Sequence, residues 1–374
     1  MTALQVNQED ESIKELFGDV ETRWYQMAAL HRVEDALRDG FKRILVVAPT
    51  GAGKTITSGL IFSSPEIRKI LKVPANRKLR LLFIAHKHRL LSQAEKAYAD
   101  ASGIELIVQS AFSAIPEKVM KEGWDITCID EAHHEAMATI QYRLEQLIEH
   151  PIIGLTATQD RADGCLIKFE IIIETITRQQ AVEEGFLAET DLRSFIDTPK
   201  KDKIDIITDI YDNFGDQFGQ TMTFVRTKAE VAAVTRMLVA NGEIAVGILN
   251  QSEKELDRLL DQFSEGKVKW LINCNKINEG VDVQGCTDVL LGRQFGSYPQ
   301  LNQVIGRASR PDSECRVWEL INPLSGSNLD TTVVVGEPKS HYLYSKRKGA
   351  WERREFHYGT SQRAIKSGIQ PRFS

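Results

Sequence analysis

The sequence contains no uninterrupted apolar run near the roughly 20 residues that a membrane-crossing helix needs. Its first residues are acidic where a secretory leader would be basic and then apolar. Both features exclude a membrane partner and point to a cytoplasmic protein, of a bacterial cell or a phage-infected host. Cysteine is scarce: five residues (Cys128, Cys165, Cys274, Cys286, Cys315), odd in number and without CxxC spacing, argue against a disulfide framework and a zinc site. All five read as ordinary core or surface thiols. Excess positive charge is lacking too, since the formal net charge is −5. A protein that holds phosphate backbones must then do so with local charge. Such charge is present at the C-terminus, where residues 336–374 carry nine Lys and Arg against three Glu, a net of +6 that leaves −11 for the remainder.

At 374 residues and 42% hydrophobic side chains, the chain is long enough for two cores and too long for one. Short aliphatic or β-branched runs alternate with longer amphipathic stretches, the pattern of parallel strands joined by crossover helices. In the first half the expected strands are 43–47, 79–85, 104–108, 126–129 and 152–155; in the second, 221–225, 244–249, 270–274, 288–291 and 316–321. Residues 228–241 and 254–263 carry apolar residues at helical spacing. The polar stretch 197–203, with Pro199 and three lysines, is the linker candidate, and a boundary is expected near residues 189–200. The resulting division is 1–190, 191–330 and a basic, aromatic tail over 331–374. Tyr342, Tyr344, Trp351, Phe356, Tyr358 and Phe373 interleave with the basic residues of the tail. It reads either as a solvated helix packed on a lobe or as a contact for nucleic acid or a partner.

Directly after the first strong strand comes Ala48-Pro49-Thr50-Gly51-Ala52-Gly53-Lys54-Thr55, followed by a helical pattern. Glycines let the backbone wrap closely, so that successive N–H groups and the helix N-terminus face phosphate. Lys54 supplies a cation and Thr55 a magnesium ligand, which makes ATP and Mg²⁺ the expected ligands. The eight-residue pattern normally opens with glycine; Ala48 stands in that place. Downstream, the run 126–129 ends in Asp130-Glu131-Ala132-His133-His134. A carboxylate at the tip of an apolar strand is costly unless it serves a cation. Asp130 is placed to hold magnesium, and Glu131 to orient and deprotonate the water that attacks the terminal phosphate.

With these motifs in this order, the sequence from about Arg23 to Arg310 resembles the superfamily 2 helicases. The resemblance implies an α/β fold of two tandem RecA-like parallel-sheet lobes followed by a short basic tail. It makes Arg23-Trp24-Tyr25-Gln26 the adenine-reading segment, with Gln26 on the base edge, and Thr156 and Thr158, together with His133, the groups that couple hydrolysis to strand movement. Arg161, Asp163 and Gly164 follow as in the subgroup of restriction-enzyme motor subunits and phage repair helicases, although Gln159 replaces that subgroup's usual proline. Glu279-Gly280-Val281-Asp282 and Gln303-Val304-Ile305-Gly306-Arg307-Ala308-Ser309-Arg310 look like the last two family motifs. Arg307 and Arg310, three apart on an expected helix, share a face and would stabilise the charge of the transferring phosphoryl group.

The same resemblance places ATP on Arg23, Gln26, Thr50, Gly51, Ala52, Gly53, Lys54, Thr55, Gly280 and Asp282. Nucleic acid would lie on His86, Lys87, Arg89, Gln93, Gln109 and Ser110 in the first lobe and on Arg226, Thr227, Asn275 and Lys276 in the second. Contacts of this kind reach backbone phosphates and are sequence-independent and salt-sensitive. The expected function is a monomeric DNA helicase or branch-remodelling translocase that hydrolyses ATP. RNA helicase activity is one alternative. A nucleotide-gated DNA-binding or strand-annealing protein is another, motivated by the basic tail and by the absence of a recognisable strand-separating wedge.

Overall fold

Parallel strands covered on both faces must be apolar throughout their length rather than alternating, and the central strands here obey that rule. The computed structural model describes residues 21–99, 101, 103–133, 150–158, 169–196, 202–274, 283–311, 313–322, 329–347 and 349–356. They fall into two units. One comprises the described residues up to Leu187 together with Gly296–Arg307; the other takes those of Ala188–Lys276, Val283–Phe295 and Ala308–Ser374.

The first unit is built on six strands: β1 (Arg43–Val47), β2 (Leu79–Ala85), β3 (Ile104–Ser110), β4 (Ile126–Asp130), β5 (Ile152–Thr156) and β6 (Ile171–Glu174). They pair in the order β3-β2-β4-β5-β1-β6, and every pair is parallel. Alternate residues of one strand feed different cores: Ile44 and Val46 point into the larger cluster, Leu45 and Val47 into the smaller. The helices α1 (Trp24–Arg38), α2 (Lys54–Ser63), α3 (Pro65–Ile70) and α4 (His88–Ala97) supply the first cluster with residues such as Leu30, Val33, Leu60, Ile67 and Leu90. Two further helices, α5 (Glu117–Glu122) and α6 (Arg178–Glu183), complete the unit's described elements up to Leu187. No helix among the described residues is long and apolar enough to cross a membrane.

The second unit carries eight strands in the order β14-β13-β7-β12-β11-β8-β10-β9. These are β7 (Thr190–Ile196), β8 (Thr221–Phe224), β9 (Ala245–Ile248), β10 (Trp270–Asn273), β11 (Asp288–Leu291), β12 (Cys315–Ile321), β13 (Ser340–Arg347) and β14 (Ala350–Glu355). Only β13 and β14 run antiparallel. Its helices are α7 (Lys203–Phe214), α8 (Lys228–Ala240), α9 (Glu253–Ser264) and α11 (Thr331–Val335), while α10 (Tyr298–Ile305) belongs to the first unit.

The ten strands expected from sequence all form. Four strands were not anticipated: β6, β7, β13 and β14. The boundary expected near residues 189–200 falls on β7, whose polar residues Asp191 and Arg193 pair with each other (2.8 Å) and mask a strand pattern. Over residues 340–355 the tail forms a β-hairpin instead of the helix considered for it. Tyr342 and Tyr344 stand two apart, at the strand period, and Tyr344 stacks on Phe195 of β7 with centroids 4.5 Å apart and planes at 8°. Trp351 meets the same ring edge-on at 5.2 Å. On the other side Phe195 faces Trp318, which stacks on Phe218 at 4.0 Å. These aromatic pairs stabilise the sheet beyond the area they bury, so Tyr344 and Trp351 are core residues of the second unit. Residues 357–374, with Tyr358, Arg363, Lys366, Arg372 and Phe373, lie outside the described residues.

Two buried carboxylates organise the second sheet. Asp288 is fully enclosed and accepts from Arg316 Nε and Nη2 (2.8 Å each), Trp318 Nε1 (2.8 Å), the Gly219 N–H (3.0 Å) and Thr287 Oγ1 (2.7 Å). Glu319 accepts from the hydroxyls of Ser194 and Thr331, and His341 Nε2 lies 2.9 Å from the same Ser194 oxygen, so β12, β7, β13 and α11 meet at one carboxyl group. Burial pushes Glu319 above the ordinary glutamate value, an effect the two hydroxyls oppose, and burial holds His341 below the usual histidine range.

Replacing Arg316 by Met leaves the Asp288 charge enclosed without its counter-ion and should lower stability by about 3–5 kcal/mol, read from urea unfolding. Because the folded state favours neutral Glu319, its contribution is fully present below the ordinary value of 4.5 and fades as pH rises through the folded value. The stability of wild type relative to Glu319→Gln should therefore fall with rising pH from the mid-4s upward; a constant difference across that window would show that Glu319 is not held neutral.

Candidate active site

The phosphate loop leaves β1 at its C-terminal end. The Ala48 N–H continues the ladder to the Thr156 carbonyl (3.0 Å), and Ala52 N–H donates back to Pro49 O (3.0 Å), closing a tight turn. Ala48 is buried in this ladder extension, at a position where a methyl group is accommodated. Gly51 and Gly53 have φ of +90° and +81°, left-handed backbone that a side chain would strain. A Cβ at Gly53 would also lie 2.6 Å from Gln26 Nε2. Gly53 is the N-cap of α2, and no side chain caps that terminus, which leaves its first-turn N–H groups facing the loop's concavity.

The first turn of α1, with its N-cap Arg23, braces this loop from behind. Tyr25, fully buried, donates its hydroxyl to Ala52 O at 2.7 Å and receives Arg23 Nη1 at 3.0 Å. Burial raises the Tyr25 pKa, so the hydroxyl keeps its proton. Gln26 is 1% exposed: its Oε1 accepts from Arg23 N–H (2.9 Å) and its Nε2 lies 3.5 Å from the carbonyls of Ala52 and Gly53. The carboxamide expected on the adenine edge thus faces the loop backbone in this structure. Arg23 lies over the Phe186 ring at 4.8 Å, and Trp24 Nε1 reaches Glu184 at 2.6 Å. Tyr25 and Phe186 were not singled out from sequence; the only available signal was an aromatic directly before Gln26.

Parallel register brings the remaining groups to the same edge. Val47 pairs with Thr156, and Asp130 with Leu155, so the ends of β1, β4 and β5 are level. Lys54 Nζ lies 3.2 Å from Glu131 Oε1. Glu131 Oε2 accepts from Gln303 Nε2 (3.3 Å) and lies 3.4 Å from His133 Nδ1, which in turn sits 3.3 Å from Thr156 Oγ1. Thr156 donates to the Thr158 carbonyl at 2.9 Å. Glu131 has φ +52°, a conformation that costs a non-glycine residue about 1–2 kcal/mol. Its N–H donates to Asp130 Oδ1 at 3.0 Å. Burial and then the Glu131 charge push Asp130 up to about 6, against the pull of Lys54. A carboxylate so poorly compensated suits a hard dication.

One geometric expectation is corrected. Arg307 and Arg310 do not share a helical face, because α10 ends at Ile305 with Gly306 as its C-cap and Pro311 disfavours a helical Arg310. Arg307 is buried and clusters with the first unit, whereas Arg310 falls in the second.

Among the nucleic-acid positions, His86, Lys87, Arg89 and Gln93 follow β2 and are partly exposed. Ser110 pairs with Ala85, so β3 ends beside them. Gln109 differs: it is buried, and its amide donates to Ser110 O (2.8 Å) and Ser113 O (2.9 Å), which makes it the brace of the 110–114 loop instead of a surface contact. Phe112, missed from sequence, is 52% exposed on that loop. In the second unit Arg226 and Thr227 are exposed after β8, where Thr227 Oγ1 caps α8 by accepting from Glu230 N–H at 3.1 Å. His134, Gln159, Arg161, Asp163, Gly164, Asn275, Lys276, Glu279, Gly280, Val281 and Asp282 lie outside the described residues.

Gly53→Ala meets two separate penalties, the left-handed φ and the Gln26 side chain. It should cost about 2 kcal/mol in thermal or urea unfolding, with Gln26→Ala restoring the steric share only. Full restoration in the double variant would mean that φ carries no strain.

Residues 19–107 match the family "Type III restriction enzyme, res subunit", and residues 202–312 match "Helicase conserved C-terminal domain". IRC3 of Saccharomyces cerevisiae, provisionally named an ATP-dependent helicase, is 24% identical over 87% of this chain and 55% of its own length. Its Schizosaccharomyces pombe namesake, provisionally a mitochondrial ATP-dependent helicase, is 27% identical over 88% of this chain and 62% of its own. The EcoAI type I restriction endonuclease subunit of Escherichia coli is 24% identical over 79% of this chain and 45% of that protein. The chain thus spans 55–62% of the length of the two fungal relatives. In fold it is similar to a fragment of a provisional HsdR subunit of a type I restriction enzyme from Vibrio vulnificus (TM-score 0.62, 20% identity, 90% of this chain and 71% of that one). It is similar as well to the type ISP restriction-modification enzyme LlaBIII bound to DNA (TM-score 0.62, 14% identity, 84% and 29%). Two parallel-sheet units, a phosphate loop facing an Asp-Glu strand tip and the two matched family segments together make this chain a member of the superfamily 2 helicases.

Proposed function

We propose that the chain is an ATP-driven nucleic-acid motor, a DNA helicase or branch-remodelling translocase that hydrolyses ATP to ADP and phosphate. The observation that carries this reading is the continuous chain Lys54–Glu131–His133–Thr156, which joins the phosphate loop to the end of β5. Residues 50–55 would cradle the phosphates with backbone N–H groups, and Lys54 would neutralise them. Thr55 and Asp130 would hold Mg²⁺, which when bound supplies charge neutralisation at the phosphates. Once phosphates compete for Lys54, the Glu131 carboxylate is released to orient the attacking water and accept its proton. Gln303, already on that carboxylate, would sense the change, and Arg307 and Arg310 would offset charge on the transferring group. His133 passes the state of Glu131 to Thr156 and Thr158, the coupling role.

DNA as the partner is supported by the restriction-enzyme names among the similar proteins and by the Arg161-Asp163-Gly164 run. RNA is favoured by short stretches shared with ATP-dependent RNA helicases DBP5, such as one 32% identical over 89 residues, 24% of this chain, in Ajellomyces capsulatus. The annealing reading loses part of its motivation, because Tyr344 and Trp351 of the basic tail are spent on the core.

ATP hydrolysis measured alone and with single-stranded DNA, forked DNA and RNA tests the reading. DNA should stimulate the rate manyfold, chelation of Mg²⁺ should abolish it, and Lys54→Ala or Glu131→Gln should lower it by about 10²–10⁴-fold. Stimulation by RNA alone would move the assignment to an RNA helicase; a rate indifferent to every nucleic acid would remove the motor.

A further inference from the structure

The second unit contains a cation whose surroundings do not account for it. β11 runs through the middle of the sheet between β12 and β8, and the chain leaves its C-terminal end through Gly292 and Arg293. Gly292 is pressed against β8 and α7: a Cβ there would lie 3.0 Å from Ile207 Cδ1 and 3.2 Å from Phe224 O. Arg293 therefore starts close to the sheet. Its guanidinium lies over the Phe295 ring at 4.3 Å, and its Nε and Nη2 are enclosed without any hydrogen-bond partner.

Partly buried arginines elsewhere in this sheet are matched. Arg316 donates two hydrogen bonds to Asp288, and Arg193 pairs with Asp191. Among the described residues Arg293 has no such carboxylate. An arginine cannot discard its proton to escape this cost, although burial pulls it below the ordinary arginine value against a raising influence of Cys274 at the end of β10. Buried polar groups left unfilled call for an absent ion or water. The place is also the one where open parallel sheets bind ligands, outside the carboxyl ends of central strands. A planar guanidinium with two adjacent donors unfilled matches a phosphate's paired oxygens better than any neutral group.

We propose that Arg293 is a phosphate-binding residue at the C-terminal edge of the second sheet. Its ligand is one phosphate group, drawn from a nucleic-acid backbone or from the nucleotide; only the choice of source rests on the motor reading.

Two measurements on the full chain decide this. In the first, wild type and Arg293→Met are compared in a Lys54→Ala background, so that the phosphate-loop lysine does not contribute, by thermal unfolding in low-salt chloride with and without inorganic pyrophosphate. Removing an uncompensated charge should leave Arg293→Met melting above its parent without pyrophosphate, and pyrophosphate should raise the parent's Tm by more than the variant's. If the Met side chain packs badly on Phe295 and melting falls, the pyrophosphate response still decides, because an equal rise in both chains overturns the proposal.

In the second, an oligothymidylate and a fluorescent ATP analogue are titrated into the same substitution in the otherwise native chain. Weaker oligonucleotide binding, with a salt slope smaller by about 0.7, identifies a backbone phosphate. Weaker ATP-analogue binding at an unchanged slope identifies the nucleotide. If wild type binds neither probe, the motor reading fails while the pyrophosphate result still stands for Arg293. If both bind equally to wild type and variant and the pyrophosphate responses coincide, Arg293 is not a phosphate site and the motor reading is untouched.

Discussion

The register of the first sheet is the constraint on which the candidate site depends. A parallel ladder fixes which residues lie abreast, and here Val47 lies beside Thr156, and Asp130 beside Leu155. The strands therefore end level, and the loops that follow them begin on one line. The phosphate loop, the Asp130-Glu131 pair and the Thr156 hydroxyl come from positions scattered over more than a hundred residues of sequence, yet none needs a special device to meet the others. A shift of one residue in any of these strands would turn its side chains to the opposite core and move its terminal group off that line. Apolar burial on both faces makes such a shift expensive, so the hydrophobic cores hold the chemical groups in place.

Much of this was legible in the sequence because the central strands are buried on both faces and read as unbroken apolar runs. β1, β2 and β11 were placed to the residue, and the other seven expected strands within a residue or two at an end. Legibility fails where burial is one-sided or where polar residues satisfy one another. β7 carries Asp191, Arg193 and Ser194, all paired within the sheet, and so was not expected as a strand. The β13–β14 hairpin mixes aromatic and basic residues, a composition equally compatible with a solvated surface until Phe195 is known to wait beneath Tyr344.

The site shows the same division. Motif residues fixed by backbone geometry, such as Gly53 and Lys54, were readable because their chemistry is local. Residues whose job depends on what packs behind them were not. Gln109 and Gln26 carry amides suited to a ligand, but both face nearby carbonyls, and only the fold reveals that. The arginine pair at 307 and 310 kept its spacing and lost its helix, because Gly306 and Pro311 bracket it. Charge followed an analogous rule: the acidic remainder of the chain includes carboxylates such as Asp288 and Glu319 that serve as internal anchors, so the negative net charge says little about which ligands the surface accepts.

The position of β7 has a consequence for how the chain is made. This strand directly follows the described residues of the first unit in sequence, yet its partners in the sheet are β12 and β13, and Thr190 meets Cys315 across a separation of 125 residues. During synthesis β7 would emerge well before its partners and wait with both edges unpaired until β12 and β13 leave the ribosome. Long-range pairing of this kind is slow and leaves edges open to other chains. The second unit is therefore completed only once β13 has been synthesised, and a nascent chain halted before Tyr344 would carry β7, with the apolar ring of Phe195, open on one side.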